Sequence, residues 1–356
     1  MMSSLPPSVK PVTEPEREKL LSNLKVFSGN ANKQLAQDIC AYIAKITNSD
    51  FKLGEAEIKR FSDGEVFVKI KENVRNQDVF IIQPTSKPVN EHLMELLIMI
   101  DAARRASAAS ITAVIPYYGY ARQDRKAEPR TPISAKLVAS LLETAGVDRM
   151  ISVDLHANQI QGFFHVPVDN LYAARDLTDY YRDLYGIPDP ADLPTDSVND
   201  NVVMVSPDAG GATRCRAYSK RLRCPMAIID KRRPAPNQVE VTNVIGDVAD
   251  KDVILLDDMV DTAGSICSAA AFLKNRGAKR IEACVTHGVL SGPAIDRINE
   301  SVIERLVITD TILQTEPEKT DKIEVVSIAP LLGEAIRAVK TNASISSLFD
   351  PEDHKK

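Results

Sequence analysis

Residues 253–265 read Val-Ile-Leu-Leu-Asp-Asp-Met-Val-Asp-Thr-Ala-Gly-Ser. Val253–Leu256 is a short apolar run, as a parallel strand buried on both faces requires. Asp257 and Asp258 follow at its carboxyl end. Asp261 precedes Thr262-Ala263-Gly264-Ser265, which opens an apolar helix carrying Ile266, Ala269, Ala270, Phe272 and Leu273. Open α/β sheets bind ligands beyond the carboxyl ends of their strands. A helix start adds free N–H groups and a positive dipole end, which suit a phosphate. Carboxylates beside such a cradle suit sugar hydroxyls or Mg²⁺. The motif therefore points to a phosphorylated sugar.

Composition sets the frame around this loop. A chain of 356 residues exceeds what one core usually serves, so two domains are expected. A net charge of −5 argues against a nucleic-acid partner. No apolar stretch reaches the ~18 residues that a membrane span needs. The start, Met1-Met2-Ser3-Ser4-Leu5-Pro6-Pro7, lacks an apolar signal core, and residues 1–19 read as a disordered tail. Cys40, Cys215, Cys224, Cys267 and Cys284 have no metal-ligand spacing and read as reduced thiols of a cytoplasmic protein.

The chain repeats itself weakly. Residues 25–30 parallel 203–208, residues 78–83 parallel 252–257, and residues 109–114 parallel 280–285. Strands alternate with helices throughout. The expected architecture is α/β, with two tandem doubly wound parallel-sheet domains. We place an N-terminal domain at 20–172 and a C-terminal domain at 173–328. A final amphipathic helix follows, with 329–349 packing back on the first domain, and then a tail at 350–356. Residues 185–201 hold three prolines and read as a surface loop. The acidic phosphate loop occurs only in the second half; the first has Gln83-Pro84-Thr85 at that position.

Four further stretches carry chemistry. Pro207-Asp208-Ala209-Gly210-Gly211 follows a buried strand, and its glycines let the backbone approach an anion. Asp230-Lys231-Arg232-Arg233-Pro234 reads as a cationic loop between two apolar strands, suited to neutralising a transferring phosphoryl group. Tyr120-Ala121-Arg122-Gln123-Asp124-Arg125-Lys126 suits nucleotide phosphates. In Val153-Asp154-Leu155-His156, strand alternation puts Asp154 and His156 on one side, where His156 could meet a metal or a phosphate.

Together with Arg60-Phe61-Ser62-Asp63-Gly64-Glu65 and Gln159-Ile160-Gln161-Gly162-Phe163-Phe164, these segments resemble the class I ribose-phosphate diphosphokinases, or phosphoribosyl-diphosphate synthetases. The resemblance runs from Lys25 to Phe349. It implies the type I phosphoribosyltransferase fold. It also implies Mg²⁺-dependent transfer of the diphosphoryl group of ATP to the 1-hydroxyl of ribose 5-phosphate. By that resemblance Asp257, Asp258 and Asp261 face the ribose, while Thr262, Ala263, Gly264 and Ser265 cradle its 5-phosphate. Asp208 and His156 bind Mg²⁺ on the ATP phosphates, and Asp208, Ala209, Gly210 and Gly211 form the diphosphate loop. Arg122 and Gln123 hold ATP, with Phe61, Asp63 and Glu65 reaching adenine from a neighbouring subunit. Lys231 and Arg233 stabilise the transition state from a mobile loop.

The family commonly forms hexamers of dimers, so a homo-oligomer or a mixed oligomer with related subunits is expected. Phosphate activation and ADP inhibition act at a subunit interface, for which Arg75, Ser107, Arg130, Ser344 and Ser346 are candidates. Here Glu128-Pro129 precedes Arg130, and Asn73 stands where a Ser is frequent. An acid in an anion loop weakens anion affinity. Two rival readings share parts of this pattern. A phosphoribosyltransferase shares only the 257–265 loop, and a non-catalytic synthetase-associated subunit would need broken motifs.

Overall fold

The computed structural model describes residues 12–188, 198–235, 238–315, 320–345 and 348, the side chains of 231–242 excepted. Two compact units emerge. Unit 1 spans residues 1–172, 311–313 and 328–356; unit 2 spans 173–310 and 314–327.

Unit 1 runs α1 (Glu14–Leu21), β1 (Leu24–Ser28), α2 (Lys33–Thr47), β2 (Ala56–Arg60), β3 (Val66–Ile70), β4 (Asp78–Ile82), α3 (Val89–Arg105), β5 (Ser110–Ile115), α4 (Ser134–Ala145), β6 (Arg149–Val153) and β7 (Val168–Leu171). Its parallel sheet has the order β1-β4-β5-β6-β7, with β2 and β3 as a separate antiparallel hairpin. Unit 2 runs α5 (Ala174–Tyr185), β8 (Val202–Ser206), α6 (Ala212–Leu222), β9 (Met226–Ala235), β10 (Gln238–Ile245), β11 (Asp252–Val260), α7 (Gly264–Asn275), β12 (Arg280–Gly288), α8 (Ala294–Glu300), β13 (Arg305–Thr309) and β14 (Ile323–Val326). Its sheet has the order β10-β9-β8-β11-β12-β13-β14.

The repeat is visible in the ladders. Leu24 pairs with Asp78 and Asp78 with Ser110 in unit 1; Val202 pairs with Asp252 and Asp252 with Arg280 in unit 2. Each unit inserts a hairpin between its first and second core strands, β2–β3 in one and β9–β10 in the other. The core strands are buried on both faces, which is why they read as unbroken apolar runs.

Helix α9 (Ala329–Thr341) belongs to unit 1. Gly333 lets the Tyr42 ring of α2 close in, since a Cβ there would lie 2.4 Å from Tyr42 Cδ1. The Tyr42 hydroxyl donates to Glu334 at 2.9 Å. Helix α9 also explains a correction at the N-terminus. Residues 14–19, expected to be a disordered tail, form most of α1. Its Leu20 is fully buried, Arg337 pairs with Glu16 at 2.8 Å, and Lys19 donates to the Thr341 carbonyl. Residues 1–11 of that expected tail lie outside the described residues. So do 189–197 of the expected 185–201 loop, whose first residue instead ends α5 before Gly186 in the left-handed region at φ +62°.

Candidate functional site

In unit 2 the acidic motif departs from its expected outline. Strand β11 does not stop at Leu256 but continues through Val260, still paired with β12. Its other neighbour, β8, pairs only as far as Leu255. Asp257 and Asp258 therefore lie where β11 has lost one flanking strand, which leaves room for a ligand. Alternation makes Asp258 buried and Asp257 half-buried. Burial, then the adjacent Asp258 charge, raises the Asp257 carboxyl above the ordinary carboxylate range. Arg214, from the first turn of α6, reaches Asp258 at 3.8 Å. This pairing across two loops had no local signal in the sequence, because it depends on β8 and β11 being neighbours.

Beyond β11 the chain turns through Asp261 and Thr262 to Ala263, which holds a left-handed φ of +59°. No side chain caps α7. The N–H groups of Gly264, Ser265 and Ile266 have no acceptor within the helix. A row of donors at the positive end of a helix dipole, beside two carboxylates, can hold a phosphorylated polyol.

The second loop of unit 2 joins β8 to α6. Ser206 Oγ donates to the Asp208 carbonyl at 2.7 Å, and Gly211 N–H donates to Asp208 Oδ1 at 3.1 Å. A Cβ on Gly211 would lie 2.6 Å from Ser206 Oγ, so a larger residue there must displace the hydroxyl that holds the Asp208 carbonyl. Asp208, Ala209 and Gly210 are exposed.

Lys231 and Arg233 need a correction. They were expected on a loop, yet both lie on β9, in an antiparallel hairpin with β10. Strand β8 pairs with β9 only from Met226 to Ile228, so the rest of β9 has β10 as its partner. Pro234, which has no N–H to give, falls at a register shift in that pairing. The side chains of Lys231 and Arg233 lie outside the described residues.

In unit 1, Phe61, Asp63 and Glu65 occupy the exposed tip of the β2–β3 hairpin. Glu65 N–H donates to Asp63 Oδ1 at 3.1 Å, Gly64 takes φ +96°, and Phe61 stands edge-on to Phe67 at 5.6 Å. Arg122 and Gln123 are exposed in the turn after Tyr120 (φ +64°), where Ala135 N–H donates to the Gln123 carbonyl at 3.2 Å. Asp154 and His156 do not share a side as expected. Asp154 is buried with φ +43° and His156 is exposed, because the left-handed residue breaks the strand alternation. The Asn76 N–H bonds the Ser107 carbonyl at 2.9 Å, bringing Arg75 beside Ser107. Arg130 sits on a separate turn at φ +67°, Ser344 follows α9, and Ser346 lies outside the described residues.

Among the described residues no three His, Cys, Asp or Glu side chains converge as a metal cage. Asp208 is a hard, exposed oxygen donor. That fits a small divalent cation that takes one or two protein ligands and fills its shell with phosphate oxygens and water.

Two doubly wound units, with helix-start N–H groups beside an acidic strand end, fit the expected type I phosphoribosyltransferase fold and a phosphorylated ligand. Comparison narrows the class. Residues 24–146 match the model of the N-terminal domain of ribose phosphate pyrophosphokinase, and residues 233–350 that of the phosphoribosyl synthetase-associated domain. The ribose-phosphate pyrophosphokinase of Agrobacterium fabrum is 54% identical over 332 residues, covering 92% of this chain and 100% of its own. That of Bacillus cereus is 54% identical over 93% of this chain and 98% of its own. The crystal structure of phosphoribosylpyrophosphate synthetase from Mycobacterium smegmatis superposes with a TM-score of 0.79 at 42% identity, covering 90% of this chain and all of that one. The chain belongs to the ribose-phosphate pyrophosphokinase family.

Proposed function

We propose that this chain makes 5-phosphoribosyl 1-diphosphate, transferring the diphosphoryl group of ATP to the 1-hydroxyl of ribose 5-phosphate and releasing AMP. The observation that carries this reading is kinship at 54% identity over nearly the whole length of enzymes with that name. A synthetase-associated subunit is not favoured, since Lys231, Arg233, His156 and Asp208 are all present.

Asp257, Asp258 and Asp261 hold the ribose hydroxyls while the N–H groups of 262–265 take the 5-phosphate. The open flank of β11 supports this role. Asp208 would hold Mg²⁺, and by the family resemblance so would His156; bound Mg²⁺ would supply charge neutralisation for the diphosphoryl group. Gly210 and Gly211 line the diphosphate loop, where Gly210 lets the backbone come close to the anion and the Gly211 N–H holds the turn through Asp208 Oδ1. Arg122 and Gln123 hold the nucleotide. Phe61, Asp63 and Glu65, exposed at a hairpin tip, meet adenine in a neighbouring copy of the chain. Lys231 and Arg233 bring positive charge to the transferring group. Such chemistry needs positioning and charge more than a covalent intermediate. Five free thiols support a cytoplasmic setting. Glu128 beside Arg130 argues for weak phosphate activation and weak ADP inhibition.

The test is AMP release from ATP, ribose 5-phosphate and Mg²⁺ by the purified chain, with and without added phosphate. Ribose-dependent AMP supports the reading, and its absence in both buffers overturns it. A strong saturable phosphate requirement overturns the regulatory part alone.

A further inference from the structure

The loop that leads into α7 has an orderly set of backbone bonds. The Val260 carbonyl accepts from Val289 and Leu290 N–H at 2.9 and 3.1 Å. The Asp261 carbonyl accepts from Ser291 N–H at 2.9 Å. The Ala263 carbonyl accepts from Cys267 N–H at 3.0 Å, the first bond of the helix. All these donors are backbone groups. The Thr262 carbonyl differs, because its donor is a side chain: Arg297 Nη1 of α8, at 2.9 Å.

That bond has leverage over the cradle. In a planar trans peptide the C=O and N–H point in opposite directions. Turning the Thr262 carbonyl toward Arg297 therefore turns the Ala263 N–H away from it, toward the cradle. The next residue resists this arrangement, since Ala263 holds φ +59°, a region that costs a residue with a Cβ. A flip of the Thr262–Ala263 peptide would relax Ala263 and present a carbonyl oxygen to the incoming anion.

We propose that Arg297 is a positioning residue, which locks the Thr262–Ala263 peptide with its N–H toward the 5-phosphate of ribose 5-phosphate. The proposal rests on the functional reading above. Arg297 does not touch the substrate; it acts through the peptide, and its charge adds attraction for a dianion.

Calorimetric titration of the full chain with ribose 5-phosphate, beside steady-state kinetics, tests it. Arg297→Met should weaken ribose 5-phosphate binding and raise its KM by about tenfold or more, the scale of one lost charge-assisted bond. The KM for ATP should stay within about twofold by the same logic of an untouched site. Arg297→Lys should recover part of the loss. Ala263→Gly in the Arg297→Met background should recover more, because glycine holds the left-handed turn without the lock. A purely structural arginine would show no such rescue. Unchanged binding in Arg297→Met, or equal losses for both substrates with no rescue by glycine, overturns the proposal. Wild-type chain that binds ribose 5-phosphate but releases no AMP overturns the functional reading and leaves the lock testable by calorimetry.

Discussion

In unit 1 the residue that follows the second core strand closes the neighbouring β1–α2 turn with its side chain, whereas in unit 2 the residue at that position is an acid, and α7 beside it starts on Ala263 with no side-chain cap. Gln83, at the position of Asp257, is fully buried; its Oε1 accepts from Ala31 N–H and its Nε2 donates to Glu95. Glu95 also accepts from the Asn30 backbone at 3.1 Å and from Asn30 Nδ2 at 3.0 Å. Asn32 caps α2 by accepting from Leu35 N–H. Unit 2 has no side-chain cap on α6 or α7, an acid with a raised pKa in place of Gln83, and a non-glycine residue in a left-handed turn. One strand order thus serves two ends. Where the turn satisfies itself it is structure, and where donors and charges are left over it can bind.

The largest effect should come from unit 2's cations. Lys231→Ala should lower kcat by about 10²–10³-fold while the ATP KM moves by less than about twofold, as for a group that acts mainly in the transition state. An equal loss of ATP affinity would contradict that role. In unit 1 the reverse holds. Glu95→Ala removes the acceptor of the buried Gln83 amide and of two Asn30 donors and should cost ~1–3 kcal/mol of stability, read as a urea midpoint shift, with no specific change in either KM. A selective loss of ribose 5-phosphate affinity in that variant would break the comparison.

Asp257 sharpens it further. Its folded pKa is raised above the ordinary value, so the folded state binds its proton more tightly than the unfolded state does. The resulting stability is present at low pH and is lost as pH rises from about 4, the ordinary carboxylate value, through the raised one. Asp257→Asn removes the penalty. The variant should be as stable as wild type near pH 4, more stable than it at pH 8, and almost inactive. Urea unfolding at both pH values checks the sign; a variant less stable at pH 8 would mean the acid is held by favourable partners.

How far the chain could be read as a sequence follows the same physics. The core strands were legible because burial on both faces writes itself as an apolar run. The 257–265 segment stood out because its residues are contiguous. The β9–β10 hairpin was not, since Lys231-Arg232-Arg233-Pro234 lacks the alternation that a half-buried strand shows. Helix α1 was missed because little of it is buried and what holds it, Arg337 and Thr341, lies at the other end of the chain. Arg214 and Arg297 could not be assigned, since each acts on a loop brought near only by the sheet order.

The smallest expected effect lies at the opposite ends of the same strands. Asp78 and Asp252 both open the second core strand of their unit. Asp252 meets Arg280 of the adjacent strand at 3.1 Å, within its own sheet. Asp78 accepts from Ser110 at 2.6 Å and also pairs with Lys340 of α9. Burial alone would raise the Asp78 carboxyl, but the Lys340 and Ser110 bonds outweigh it and lower the pKa. For a lowered acid, the stability is present above the ordinary carboxylate value and is lost as pH falls through the folded one. The carboxylate is partly open to water while the Lys340 side chain is largely buried, so Lys340→Met, which keeps the packing of the stem, should cost about 1 kcal/mol at pH 7. The difference from wild type should close as pH falls below about 4. A gap that persists at low pH would mean that α9 is held to unit 1 there by the stem of Lys340 and not by its charge.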